Sequence, residues 1–152
     1  VAKCLPRGPS FAADVLAASP GGAGADVIID PVFGGGYLAD DARCVAADGV
    51  ITILAFMGGT DFPPPDSGVC GRLLGRRVTL RFSSLRGQSL PYKAALCRRF
   101  AAAVLPHAAA GRIRPMVSGV EAFSEAGAAA AHATLAQGDQ VGKVLLRVDG
   151  AE

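Results

Sequence analysis

Several residue types are scarce in this 152-residue chain, and each shortage excludes a class of protein. Tryptophan is absent and aromatic residues make up only 6% of the sequence, so the core must be built mainly from aliphatic side chains. The four cysteines lie far apart, with no CxxC pair and no neighbouring histidine, so no zinc site of the usual local spacing is expected. No apolar stretch of about 18 residues occurs, and no membrane-spanning helix is therefore expected.

Charge is scarce as well, since charged residues make up only 18% of the chain. The 15 Lys and Arg residues nearly balance the 13 Asp and Glu residues, and the net charge of +2 gives no reason to expect a nucleic-acid partner. The lack of paired cysteines and of an apolar leader favours a soluble, cytoplasmic protein. The chain begins with Val1 rather than Met, which predicts a fragment or a processed product.

The apolar pattern of the first half predicts an α/β fold. Two runs rich in β-branched residues, 26–30 and 50–56, have the composition of strands buried on both faces of a parallel sheet, and a third strand is predicted at 78–83. The segments between them predict helices, at residues 10–18, 37–47 and, after a cap at Asp66 or Ser67, up to residue 74. This alternation predicts a partial Rossmann-like, doubly wound parallel sheet.

The alternation of predicted helices and strands changes after residue 87. This change predicts a partial dinucleotide-binding domain at 1–87 and a carboxy-terminal extension of the same unit at 88–152. The predicted elements of the extension are a helix at 91–110, a strand at 112–117, an alanine-rich helix at 121–135 and a strand at 144–148. Pro106 is expected to kink or end the first of these helices.

Ligands bind open parallel sheets outside the carboxyl ends of the strands, where backbone donors are left unpaired. Three such ends are predicted, at residues 30–35, 55–59 and 82–86. Glycines at the first two permit a flat ligand to approach the backbone, but they are equally consistent with simple chain turns. His107 and His132 have no acid or thiol near them in sequence, and no catalytic side chain is predicted.

The order of several short motifs resembles one known family. The run from Asp26 to Val32 is followed by three glycines, and a second strand ends in Phe56-Met57-Gly58-Gly59. Further matching pieces are LLGRR at 73–77, SSLR at 83–86, YK at 92–93, VLP at 104–106, AH at 131–132 and QVGKVLL at 140–146. Together they resemble the cofactor domain of zeta-crystallin-like quinone oxidoreductases, which belong to the medium-chain dehydrogenase/reductase superfamily.

The resemblance implies a zinc-free enzyme that transfers hydride from NADPH to quinones or related electron-poor carbonyls and alkenes. It implies cofactor contacts rather than catalytic side chains. The residues so assigned are Asp30, Val32, Phe56, Met57, Gly58, Gly59, Phe82, Ser83 and Gln140. It also implies a homodimer formed through the edge strand between Val78 and Phe82.

The chain departs from the family pattern at its beginning. It carries no counterpart of the β-rich substrate domain, nor of the first cofactor strand with its phosphate-binding turn, so the resemblance covers only the carboxy-terminal half of such an enzyme. This departure predicts an open edge on the strand at 26–30. It leaves open the substrate and the choice between NADPH and NADH. Two alternatives also stay open: a cofactor-free interaction domain derived from such an enzyme, and an enoyl reductase of the same superfamily.

Overall fold

The computed structural model describes residues 3–5, 8 and 10–148 of the chain. The chain divides into two compact units, residues 1–89 and 90–152. None of the helices in the described ranges is both long and apolar enough to cross a membrane.

The first unit alternates helices with strands. Its elements are α1 (Phe11–Ala18), β1 (Ala25–Asp30), α2 (Tyr37–Cys44), β2 (Val45–Ile53), α3 (Val69–Gly75) and β3 (Thr79–Phe82), with 3-10 turns at Pro20–Gly22 and Pro65–Ser67. The strands form one parallel sheet in the order β1-β2-β3. The predicted α/β class with parallel, Rossmann-like strands is confirmed.

The core of this unit lies on one face of the sheet. Paired residues of a parallel sheet point to the same side, so Ile51 and Ile53 of β2 share a face with Ile28 of β1. Ile51 and Ile53 are buried against Leu38 of α2 and Val69 of α3. These aliphatic contacts hold α2 and α3 on the sheet, as expected for a chain with few aromatic residues.

The opposite face of β1 is exposed. Val27 and Ile29 alternate with the core residues and are 62% and 64% exposed. The prediction that this strand is buried on both faces is therefore wrong for the part of the chain described. The reason is that, among the residues that the structure describes, β1 is hydrogen-bonded only to β2, and α2 and α3 pack on the other face.

The boundary between α2 and β2 also differs from the prediction. The sequence predicts a helix to residue 47 and a strand from residue 50, whereas α2 ends at Cys44 and β2 begins at Val45. The register between β1 and β2 shifts just after Val45, because extra residues of β2 bulge out of the ladder there. Asp48 within this bulge has a φ of 60°, a value that no continuing α-helix could contain.

Contacts with the end of α3 hold this bulge in place. The Asp48 N–H donates to the carbonyl of Arg76 over 2.8 Å, and the Asp48 carboxylate accepts two hydrogen bonds from Arg77, at 2.7 and 2.6 Å. The hydrogen bond from the Arg77 guanidinium, helped by its charge, lowers the pKa of the exposed Asp48 carboxyl. Residues far apart in sequence therefore override the local helical pattern of this segment.

The second unit contains a smaller parallel sheet. Its elements are α4 (Leu90–Ala109), β4 (Val117–Ala122), α5 (Glu125–Gln137) and β5 (Lys143–Arg147), and β4 pairs with β5. The strand predicted at 112–117 is wrong, because Pro115 lacks the N–H that a ladder needs and the strand begins only at residue 117. Pro106 lies within α4 and does not end it.

The start of α5 was also predicted too early. Residues 121 and 122 belong to β4, and the helix begins at Glu125. Ser124 provides the cap, since its side chain accepts a hydrogen bond of 3.1 Å from the Gly127 N–H. The sequence contains Ser124 at this position, but the alanine-rich pattern favours a helix that starts earlier.

Candidate functional site

The loops that follow β1 and β2 run side by side at the carboxyl edge of the first unit's sheet. Three backbone hydrogen bonds join them: Leu54 N–H to Asp30 O (2.9 Å), Met57 N–H to Pro31 O (3.3 Å) and Gly58 N–H to Val32 O (2.9 Å). The pairing of the two strands therefore continues into the loops. This edge is where ligands of open parallel sheets bind.

Two glycines allow these loops to pack closely. A Cβ atom added to Gly34 would lie 2.6 Å from the carbonyl carbon of Gly58, and one added to Gly58 would lie 2.8 Å from the Gly34 oxygen. Gly59, with a φ of 113°, makes the turn that follows. Gly34 and Gly58 are therefore needed because the two loops approach each other, an explanation that sequence analysis did not consider.

A buried carboxylate organises the turn after β1. Asp30 is only 4% exposed. Its carboxylate accepts a 2.6 Å hydrogen bond from the Val32 N–H and bonds of 3.0 and 3.1 Å from the Phe33 N–H. Phe33 has a φ of 63°, which is uncommon for a bulky residue. The Asp side chain thus stabilises a turn that the backbone alone would disfavour.

Four phenylalanines meet at this edge, and we call them the aromatic cluster: Phe33 from the loop after β1, Phe56 and Phe62 from the loop after β2, and Phe82 at the end of β3. The ring of Phe33 is 2% exposed and makes edge contacts with the other three, with centroid distances of 5.2 Å to Phe56, 5.3 Å to Phe62 and 5.9 Å to Phe82. Phe33 and Phe62 are not among the site residues predicted from the sequence, because no local pattern shows that residues far apart along the chain converge on one ring.

A cavity of about 300 Å³ opens between the carboxyl ends of β2 and β3, and we call it the β2–β3 cavity. Its lining consists of Ile53, Leu54, Ala55, Phe56, Phe82, Ser83 and Ser84. Phe56 and Phe82 are 46% and 52% exposed, so each presents part of its ring to a ligand. The cavity therefore combines an apolar wall with a few hydroxyl and backbone polar groups, which is the usual make-up of a small-molecule site.

All the predicted site residues except Gln140 lie at this edge of the sheet. Phe56, Phe82 and Ser83 line the β2–β3 cavity, Met57 is 80% exposed beside it, and Asp30 is the last residue of β1. The remaining three, Val32, Gly58 and Gly59, lie in the paired loops. Gln140 belongs to the second unit, where its Oε1 atom is buried without a hydrogen-bond partner among the described residues. The cofactor contacts assigned to these residues stay predictions.

The geometry defines a Rossmann-like α/β unit with a ligand-sized cavity at the expected edge of its sheet. Residues 9–146 match the family described as zinc-binding dehydrogenase. The match covers most of the chain, and the chain therefore belongs to this family, within the medium-chain dehydrogenase/reductase superfamily. A search of curated proteins found no match.

Solved structures show the same fold. One is described as a probable oxidoreductase from Mycobacterium abscessus; it is 27% identical, with a TM-score of 0.64, and the match covers 94% of this chain and 39% of that one. A mycobacterial quinone oxidoreductase is 23% identical over 91% of this chain and 40% of its own, with a TM-score of 0.60. CurA from Vibrio vulnificus, solved with NADPH, is 18% identical over 95% and 42%, with a TM-score of 0.66. This chain therefore spans about two-fifths of the length of these structures.

The family description names zinc, and we tested whether the described residues fit that ion. A tetrahedral protein site needs at least three His, Cys, Asp or Glu ligands close together. No such group exists within residues 3–5, 8 and 10–148. Cys44 is buried, whereas Cys70 and Cys97 are exposed elsewhere in the chain. The described residues do not fit a zinc ion.

Proposed function

We propose that this chain is the nicotinamide-binding part of a zeta-crystallin-like, NADPH-dependent quinone oxidoreductase. Its substrates would be quinones or related electron-poor carbonyls and alkenes. The observation that carries the proposal is the β2–β3 cavity, because it gathers Phe56, Phe82 and Ser83 at the carboxyl edge of the sheet. Membership of a dehydrogenase family supports a nicotinamide cofactor, and the choice of NADPH rests on the resemblance to zeta-crystallin-like quinone oxidoreductases.

The bound cofactor would supply the hydride, and the residues of the chain would bind and orient it. The rings of Phe56 and Phe82 offer apolar surface to the nicotinamide ring, and the Ser83 hydroxyl offers a hydrogen-bonding group. The lining of the cavity contains no acid, base or nucleophile other than serine hydroxyls, which agrees with chemistry performed by the cofactor.

Phe56→Ala is expected to weaken NADPH binding about three- to tenfold, because it removes an aromatic wall worth roughly one stacking contact. The measurement is a titration followed by nicotinamide fluorescence, made on the 152-residue chain and on the full product of its gene. Phe123→Ala is the matched control, since Phe123 is 67% exposed and belongs to the second unit. Equal dissociation constants for the two variants would contradict the assignment of the cavity.

The titration also separates the proposal from the interaction-domain alternative. Binding by the chain itself means that the strand ends retained here suffice, and binding only by the full gene product means that the cavity needs further chain. If neither binds NADPH or NADH, the proposal is wrong. The exposed Val27 and Ile29 beside a second cavity of about 230 Å³ would then favour a cofactor-free interaction domain.

The substrate class is tested on the full gene product by following the loss of NADPH absorbance. A quinone and an enoyl thioester are compared at matched concentrations. Faster turnover of the quinone supports the proposal. Faster turnover of the thioester assigns the protein to the enoyl reductases of the superfamily instead.

We also propose that the protein forms a homodimer through β3. Within the described residues, β3 is hydrogen-bonded only to β2, so its other edge can accept a strand. Thr79→Lys is expected to shift the protein from dimer to monomer in light scattering, because lysine on an edge opposes strand pairing. Thr60→Lys adds the same charge in a loop and should leave the dimer intact. A dimer that survives Thr79→Lys, or a monomeric wild type, would argue against this interface.

A further inference from the structure

Resting on the proposed function, we propose that Asp30 is a positioning residue of the nicotinamide site. Its carboxylate fixes the buried ring of Phe33, and Phe33 in turn supports the two rings that line the β2–β3 cavity. Asp30 would therefore act on cofactor binding through Phe33 rather than by contacting the cofactor.

The Asp30 carboxylate is already engaged in hydrogen bonds within the turn. Oδ1 accepts hydrogen bonds from the N–H groups of Val32 and Phe33, and Oδ2 accepts a second bond from Phe33. Hydrogen bonds to a carboxylate are stronger than those between neutral groups. With the side chain 4% exposed, these bonds leave it aimed at the turn, and little of it can face a ligand.

The backbone of Phe33 needs the support of these hydrogen bonds. A φ of 63° is unfavourable for a residue with a bulky Cβ substituent, and such a conformation persists only where its surroundings enforce it. The Phe33 N–H donates to both oxygens of the Asp30 carboxylate, and these bonds hold that backbone from one side. Burial of the ring, which is 2% exposed, holds it from the other.

Ring contacts link Phe33 to the β2–β3 cavity. Its ring makes edge contacts with Phe56 and Phe82, whose own rings lie 6.2 Å apart and line the β2–β3 cavity. If the turn relaxes and the Phe33 ring leaves its place, both lining rings lose a packing partner. The walls of the cavity then lose their fixed positions. Ligand binding becomes weaker, because it must also order these side chains.

The test uses a fluorescent reporter that does not depend on the cofactor. The chain contains no tryptophan, so Phe56→Trp introduces a single one into the aromatic cluster. Asp30→Ala, Asp30→Asn and Asp26→Ala are each combined with it, and emission is recorded well below the unfolding temperature. Asp26 is the matched control, because it is an exposed carboxylate on the same strand. NADPH titrations use the same three Asp variants with the native Phe56.

We expect Asp30→Ala to shift the tryptophan emission to longer wavelength and to raise the NADPH dissociation constant about tenfold. Asp30→Asn keeps one acceptor oxygen for the turn, so it should show a smaller change in the same direction. Asp26→Ala should change neither quantity. If Asp30→Ala does not fold, Asp30→Asn carries the same comparison.

Emission and NADPH affinity that are unchanged in the Asp30 variants would overturn the proposal. A shifted emission with unchanged NADPH affinity would overturn it too, because the cluster would then move without affecting the site. If the wild-type protein binds neither NADPH nor NADH, the proposed function fails. The emission comparison then still decides whether Asp30 positions the rings.

Discussion

Replacing Leu38 with alanine is expected to lower the free energy of unfolding by about 2 to 5 kcal/mol. Leu38 is 0% exposed and belongs to the core cluster with Ile51 and Ile53, so its truncation leaves a cavity that rigid neighbours cannot fill. The loss would be a large fraction of the total stability of a domain, which is typically about 5 to 15 kcal/mol. Urea unfolding followed by circular dichroism measures the change.

Leu74→Ala provides the matched control for this variant. Leu74 lies in α3 but is 80% exposed, so the same substitution should change the free energy of unfolding by no more than about 0.5 kcal/mol. Similar losses in the two variants would show that the core does not lie where α2 meets the sheet.

Gly34→Ala is expected to lower the free energy of unfolding by about 1 to 3 kcal/mol, although it adds only one methyl group. The new Cβ would lie 2.6 Å from the carbonyl carbon of Gly58 and 2.8 Å from the Gly59 nitrogen. These are backbone atoms held in the paired loops, so they cannot rotate away as a side chain could. The same urea experiment measures the loss.

Gly71→Ala tests whether the effect belongs to this loop contact. Gly71 lies inside α3, and an added Cβ would meet nothing within 4 Å. Alanine is the better helix former there, so the free energy of unfolding of this variant should rise by about 0.5 to 1 kcal/mol. If Gly34→Ala is as stable as the wild type, the two loops do not approach as closely as described here.

The candidate site shows how far local patterns reach. The ends of β1 and β3 are predicted to within one residue, because each follows an apolar run and precedes proline or serine, whereas β2 ends at Ile53 rather than at the predicted Phe56. Phe33 could not be chosen in this way, since nothing nearby in sequence shows that its ring will meet Phe56, Phe62 and Phe82. Its importance arises from contacts between separate loops.

The errors in the fold have a similar origin. Residues 45–47 are predicted as the end of a helix, but the hydrogen bonds of Asp48 to Arg76 and Arg77 hold this segment as a bulge at the start of β2. In the second unit, the segment 112–117 is predicted as a strand, yet pairing with β5 begins only at Val117. In both places the decisive partner lies far along the chain, beyond the window in which a periodic pattern can be read.

The sequence by itself determined the α/β class, the parallel order of the strands and the edge of the sheet at which a ligand site is expected. These three features follow from the spacing of apolar residues and from the positions of glycines, both of which can be read within a short window of sequence. Only the tertiary structure decided that Asp30 serves a turn, that Gly34 and Gly58 serve loop packing, and that Val27 and Ile29 are exposed. Each of these depends on what the folded chain brings next to a residue, and a local pattern does not contain that information.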